Sequence, residues 1–66
     1  MTVKFNNEII ETSSNELQSL LAEHGWNEKT GIAVAVNHTV VPRIDWQNTQ
    51  LTENDNILVI TATQGG

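Results

Sequence analysis

Cysteine is absent from these 66 residues. Its absence removes disulfides and thiolate metal ligands. The two histidines have no clustered carboxylates beside them in the sequence, a poor basis for a metal centre, so no metal is expected. Basic residues are scarce: three Lys and Arg stand against eight Asp and Glu, a formal net charge of −5. A polyanion is bound by clustered Lys and Arg that displace its counterions, so nucleic acid is excluded as a partner class. The same field favours a basic protein partner. Long apolar runs are missing too. The longest, Ile32 to Val36, falls far short of the ~20 residues that span a bilayer. The N-terminus carries Lys4 but no apolar h-region, so no signal peptide is expected and the protein reads as soluble and cytoplasmic. There is no G-x-x-x-x-G-K-[ST] loop to cradle phosphates, so any nucleotide chemistry belongs to a partner, and no cofactor is expected on this chain.

What remains suffices for one small domain. Hydrophobic residues are 38% of the chain. A domain of this size buries only roughly 60% of the surface its unfolded form exposes, so its stability is marginal but attainable. "TVKFN" alternates, placing Val3 and Phe5 on one face and Lys4 on the other, as in a half-buried strand. Asn6-Asn7 then supplies residues that tolerate the left-handed region of a tight hairpin before "EIIET". "SSNELQSLLAEHG" predicts the main helix. Ser13 and Glu16 have capping-box spacing, Leu17, Leu20, Leu21 and His24 form a stripe, and Gly25 sits where a C′ glycine belongs.

"IAVAVN" predicts a third strand, Asn37-His38 a turn, and "VV" a short strand closed by Pro42. "RIDWQNTQLTENDN" has neither helical nor strand period and reads as a long connection with one short helical turn. "ILVIT" is continuously apolar, as expected of a central strand.

The order ββαββ plus a final strand predicts an α+β domain. Its mixed sheet of about five strands carries one main helix on one face, and the last strand lies parallel to the first in the middle. That is the ubiquitin-like β-grasp. The domain is expected over residues 1–62, with an extended tail over 63–66. The free protein is expected to be a monomer. The tail, within "TATQGG", ends on two glycines, which cost more backbone entropy to order than any other residue. A ragged terminus is the bland reading.

The stretch "VAVNHTVVPRIDW", then "LTENDNILVI" and a closing "GG", resembles the ThiS family, the sulfur carriers of thiamin thiazole synthesis. The resemblance covers essentially the whole chain and rests on Asn37, Pro42-Arg43, Trp46, Asp55 and Gly65-Gly66 in this order. Asn7 and Asn54 depart from it, standing where such carriers often have glycine; Asn best replaces glycine at positive φ.

The resemblance implies that the Gly66 carboxylate is the acceptor. A ubiquitin-activating-like adenylyltransferase of ThiF type, using ATP and Mg, activates it. The acyl-adenylate becomes a thiocarboxylate, with sulfur supplied indirectly by a sulfur-donating enzyme, and a thiazole synthase of ThiG type receives the sulfur. Thr63, Gln64 and Gly65 would thread the partner's active site. The absence of cysteine bears on this independently: with no side chain to hold a persulfide, a terminal carbonyl is the only plausible sulfur site. Three alternatives stay open at this point: a molybdopterin-synthase small subunit, a ubiquitin-like modifier, and a passive binding module.

Within the body of the domain, alternate members of Ile57, Leu58, Val59 and Ile60 are expected on an uncovered sheet face, as partner-binding candidates. The register that would say which pair does not follow from the sequence. Arg43 is expected at the surface, available to a partner or the tail. Trp26 and Trp46 are expected at the core edge, His24 near the negative end of the helix, His38 in a turn, and Glu53 and Asp55 in a solvated acidic loop.

Overall fold

Alternating side chains and asparagine turns build the sheet. In a computed structural model, which describes residues 1–61, β1 (Thr2–Phe5) and β2 (Glu8–Glu11) form an antiparallel hairpin. Asn6 and Asn7 turn it with φ of 50° and 71°. Positive φ at both central residues matches the twist of the flanking strands. β3 (Ile32–Val36) and β4 (Thr39–Val41) form a second hairpin, with Asn37 and His38 at φ of 51° and 74°. β5 (Asn56–Thr61) enters between the hairpins, parallel to β1 and antiparallel to β3. The order across the sheet is β2-β1-β5-β3-β4. This is the expected β-grasp arrangement. The tail expected over 63–66, and the end of the domain expected at residue 62, lie outside the described residues.

The helix α1 (Leu17–Glu23) is shorter than its sequence signature. The capping box of Ser13 and Glu16 does not form. Glu16 is itself the last extended residue, at φ −124° and ψ 149°, without a side-chain cap. Its backbone bridges Gln50, the Leu17 N–H donates to the Thr49 carbonyl at 2.9 Å, and the Leu51 N–H donates to the Asn15 carbonyl at 2.8 Å. Partners more than thirty residues away hold these groups, so the segment before Leu17 stays extended.

The C-terminal end matches the sequence. Gly25, at φ +79°, follows the C-cap His24. The Trp26 N–H donates to the Leu21 carbonyl at 2.9 Å and the Gly25 N–H to Ala22 at 3.1 Å, a Schellman motif that lays half-buried Trp26 against the core.

One face of the sheet is covered. Leu17, Leu20 and Leu21 of α1 pack on Val3, Phe5, Val34 and Ile57. Trp46, in the 3-10 helix Arg43–Asn48, is only 1% exposed, so it belongs to the core interior rather than to its edge. Its indole N–H donates to the Val41 carbonyl at 2.9 Å, which satisfies the one polar group that burial would strand. No helix among the described residues is long and apolar enough to cross a membrane.

Candidate functional site

Cross-strand pairing settles which residues of β5 look outward. Val34 pairs with Val59 and Val36 with Ile57, on the face beneath the helix; Ala33 pairs with Ile60 and Ala35 with Leu58, on the other. Successive residues of a strand point to opposite faces. Ile57 is fully buried and Val59 packs against the core, so neither offers itself to a partner from the sheet surface. Leu58 and Ile60 are the outward pair, Leu58 half-buried and Ile60 49% exposed.

Towards β4 the open face is apolar, and towards β2 it carries the exposed Lys4. Val40 stands beside Ala35 on one flank and Ile9 beside Lys4 on the other. Ile9 and Val40 are largely exposed, whereas Ala35 is hidden between its larger neighbours. Ile60, Leu58, Ala35 and Val40 form a contiguous apolar strip, the kind of surface that marks interaction sites on small proteins, and exposed Lys4 separates Ile9 from it. Glu11 occupies the same face opposite Thr2, the Glu53 carboxylate accepts from the Thr2 N–H at 3.1 Å, and the N-terminal ammonium lies 3.9 Å from Glu11, so two carboxylates and one ammonium share that end of β1. Ile60 lies at the other end, adjoining Thr61, after which residues 62–66 follow.

Arg43 belongs elsewhere. Its guanidinium donates to the Asn27 carbonyl at 2.8 Å and to the Lys29 carbonyl, and lies 4.4 Å from the Trp46 ring centre. It fastens the α1–β3 connection to the 3-10 helix. Together with Gln18, Ile44 and Gln47 it lines a shallow cleft of about 260 Å³ between the two helices. His24 stacks on Phe5 with ring centres 4.6 Å apart. Gly66, Gly65, Gln64 and Thr63 lie outside the described residues.

Asp55 is a correction to the expectation of a solvated acidic loop, because it is buried. Its carboxylate accepts from the Thr52 N–H at 2.8 Å, the Thr52 hydroxyl at 2.9 Å and the Asn37 amide at 2.9 Å. Burial alone would raise its pKa. The hydrogen bonds from the Thr52 backbone, the Asn37 side chain and the Thr52 hydroxyl outweigh burial and hold it below the ordinary 3.8. The local sequence marked Asn37 as a turn residue, and although the resemblance rests on both Asn37 and Asp55, nothing local joined it to an acid eighteen positions later.

A depressed carboxyl stabilises the fold above its unfolded pKa, and that contribution is lost as pH falls through the folded value. Urea midpoints should therefore fall below about pH 4 in the parent protein. Asp55→Asn should be less stable at neutral pH and show a flatter decline below pH 4. Parallel profiles for the two would contradict the assignment.

Comparison with known proteins agrees with this geometry. The chain is 27% identical to the sulfur carrier protein ThiS of Escherichia coli (strain K12), with the whole of both chains covered. Its structure superimposes on the crystal structure of the thiamine biosynthesis protein ThiS from Geobacter metallireducens with a TM-score of 0.84, at 17% identity and over the full length of both. At that identity the superposition establishes the fold. The sequence model of the ThiS family matches residues 2–66, nearly the whole chain, and includes the closing diglycine. With its β-grasp architecture and that end-to-end match, the chain belongs to the ThiS family.

Proposed function

We propose that this protein is a sulfur carrier for thiazole formation in thiamin synthesis, a co-substrate whose Gly66 carboxylate is activated, loaded with sulfur and regenerated. The observation that carries the reading is the family match through Gly66, made by a chain with no cysteine. A carboxylate is a poor electrophile because its leaving group would be an oxide. Attack on ATP by the carboxylate gives an acyl-adenylate and pyrophosphate, and displacement of AMP by sulfur at the hydrosulfide level then leaves the thiocarboxylate. The activating partner, of the ubiquitin-activating-like ThiF type, supplies the ATP and magnesium site. Sulfur arrives indirectly from a sulfur-donating enzyme, and a thiazole synthase of ThiG type takes it from the loaded carrier.

This chain contributes presentation. Residues 63–66 have a reach of roughly 13 Å when extended, and the two glycines have no Cβ to obstruct a narrow channel. The open face with Leu58 and Ile60 provides the docking surface, and the −5 charge draws it to a basic partner. ATP–pyrophosphate exchange by the activating enzyme tests the reading. Exchange should depend on added carrier and should vanish when Gly66 is deleted; exchange that persists with the truncated chain would contradict it.

A further inference from the structure

Hydrophobicity alone leaves the register of β5 undetermined. Ile57 to Ile60 are all large and aliphatic, so a slip of one residue would bury Leu58 and Ile60 in place of Ile57 and Val59. Either arrangement puts two such side chains beneath the helix. The polar contacts are not degenerate in this way.

Asn37 is the rung beyond the Val36–Ile57 pair. Its N–H donates to the Asn56 carbonyl at 2.8 Å, and its side-chain carbonyl accepts from the Asn56 N–H at 2.9 Å. Its amide N–H donates to Asp55 Oδ1 at 2.9 Å. The backbone carbonyl of Asp55 accepts from the Lys4 N–H at 2.8 Å. Strands β1, β3 and β5 therefore meet at this point. On the β1 side, Asn6 Oδ1 accepts from the Val59 N–H at 2.8 Å and pins the same register.

A slip of one residue would turn Asp55 to the open face and separate its carboxylate from the Asn37 amide, while the two Thr52 donors, three residues back in the same turn, would move with it. The slip would also break the bonds from the Asn56 N–H to Asn37 Oδ1 and from the Val59 N–H to Asn6 Oδ1, whereas exchanging one aliphatic side chain for another is nearly neutral, so the lost hydrogen bonds decide the register. A single buried asparagine fixes the register of otherwise degenerate coiled coils by the same logic.

We propose that Asn37 and Asp55 form a register clasp for β5. As positioning residues they determine which side chains the central strand presents on the open face. The consequence for a partner rests on the sulfur-carrier reading; the effect on register concerns this chain alone.

The hydrogen-bond polarity of the clasp supplies its test. Asp55→Asn sets a donor against a donor in either amide orientation, facing the Thr52 N–H in one and the Asn37 amide in the other. Asn37→Asp sets two carboxylates together. The double swap restores complementarity, because the new amide at position 55 can donate to the new carboxylate at 37 and accept from Thr52.

Cross-strand nuclear Overhauser contacts between β3 and β5 read the register directly. The parent and the double swap should show one set, with Val34 opposite Val59. The folded single variants should add a second set displaced by one residue. Should Asp55→Asn not fold, Asn37→Gly removes the cross-strand amide, is compatible with the φ of 51° at that position, and is measured in the same way. If the single variants lose stability but keep one native set, the clasp is an ordinary stabilising contact and the proposal falls.

With the activating partner, KM should rise in inverse proportion to the fraction in native register, about tenfold when one-tenth remains, with little change in kcat. A displaced register with an unchanged KM would count against the docking surface instead, leaving the clasp intact.

Discussion

Serine at both Leu58 and Ile60 leaves the domain folded and raises the KM for the activating enzyme at least about 30-fold. Two truncations near the centre of an interface cost about 1–2 kcal/mol each, and 2 kcal/mol already corresponds to roughly 30-fold. The folded state loses less, because Leu58 is only half-buried and Ile60 is 49% exposed. The matched pair Ile57→Ser and Val59→Ser should behave in the opposite way. Ile57 is fully buried against Leu17, Leu20 and Leu21. A buried hydroxyl and a cavity there cost several kcal/mol. At roughly 0.05–0.15 kcal/mol per residue, a chain of 66 residues has only about 3–10 kcal/mol to lose. The inner pair should therefore unfold. Circular dichroism with carrier titrations of the exchange rate separates the cases. If the outer pair folds and its KM is unchanged, the partner docks elsewhere.

Gly65→Ala should lower the rate of adenylation on the order of 100-fold without moving the urea midpoint. Residues 63–66 follow the last core position of β5 and are expected to contribute no packing, so the fold should not register the methyl group. The channel should register it. A Cβ next to the reacting carboxylate displaces it from the line of attack, and a misplacement of about 1 Å can cost roughly 100-fold in rate. Gln64→Ala is the control, since it shortens a side chain instead of adding one and should retain most of the exchange rate. Full activity in Gly65→Ala would remove the steric reason for a diglycine end.

The strands and turns were legible because their determinants are local. Alternation marked β1, paired asparagines marked the first hairpin, and Asn37-His38 marked the second. The leucine stripe and Gly25 located α1 and its C-terminus. What escaped depends on distant partners. The capping-box spacing of Ser13 and Glu16 was overridden by a bridge to Gln50. Burial of Asp55 follows from Asn37, eighteen positions earlier, and from its own turn with Thr52. Trp46 reaches the core interior from the 3-10 helix that packs on α1, and the Val41 carbonyl of β4 takes its N–H. The outward pair on β5 was unreadable for a different reason: four consecutive aliphatic residues carry no period.

The intact mass of the carrier after reaction tests the central claim most directly. Incubated with its activating enzyme, ATP, magnesium and a sulfur source, the chain should gain about 16 Da, the difference between sulfur and oxygen in the acyl substitution. Fragmentation should place that gain on Gly66. A gain mapped to an internal residue, a covalent adduct with a protein lysine, or an unchanged mass under conditions that sustain adenylation would contradict the account.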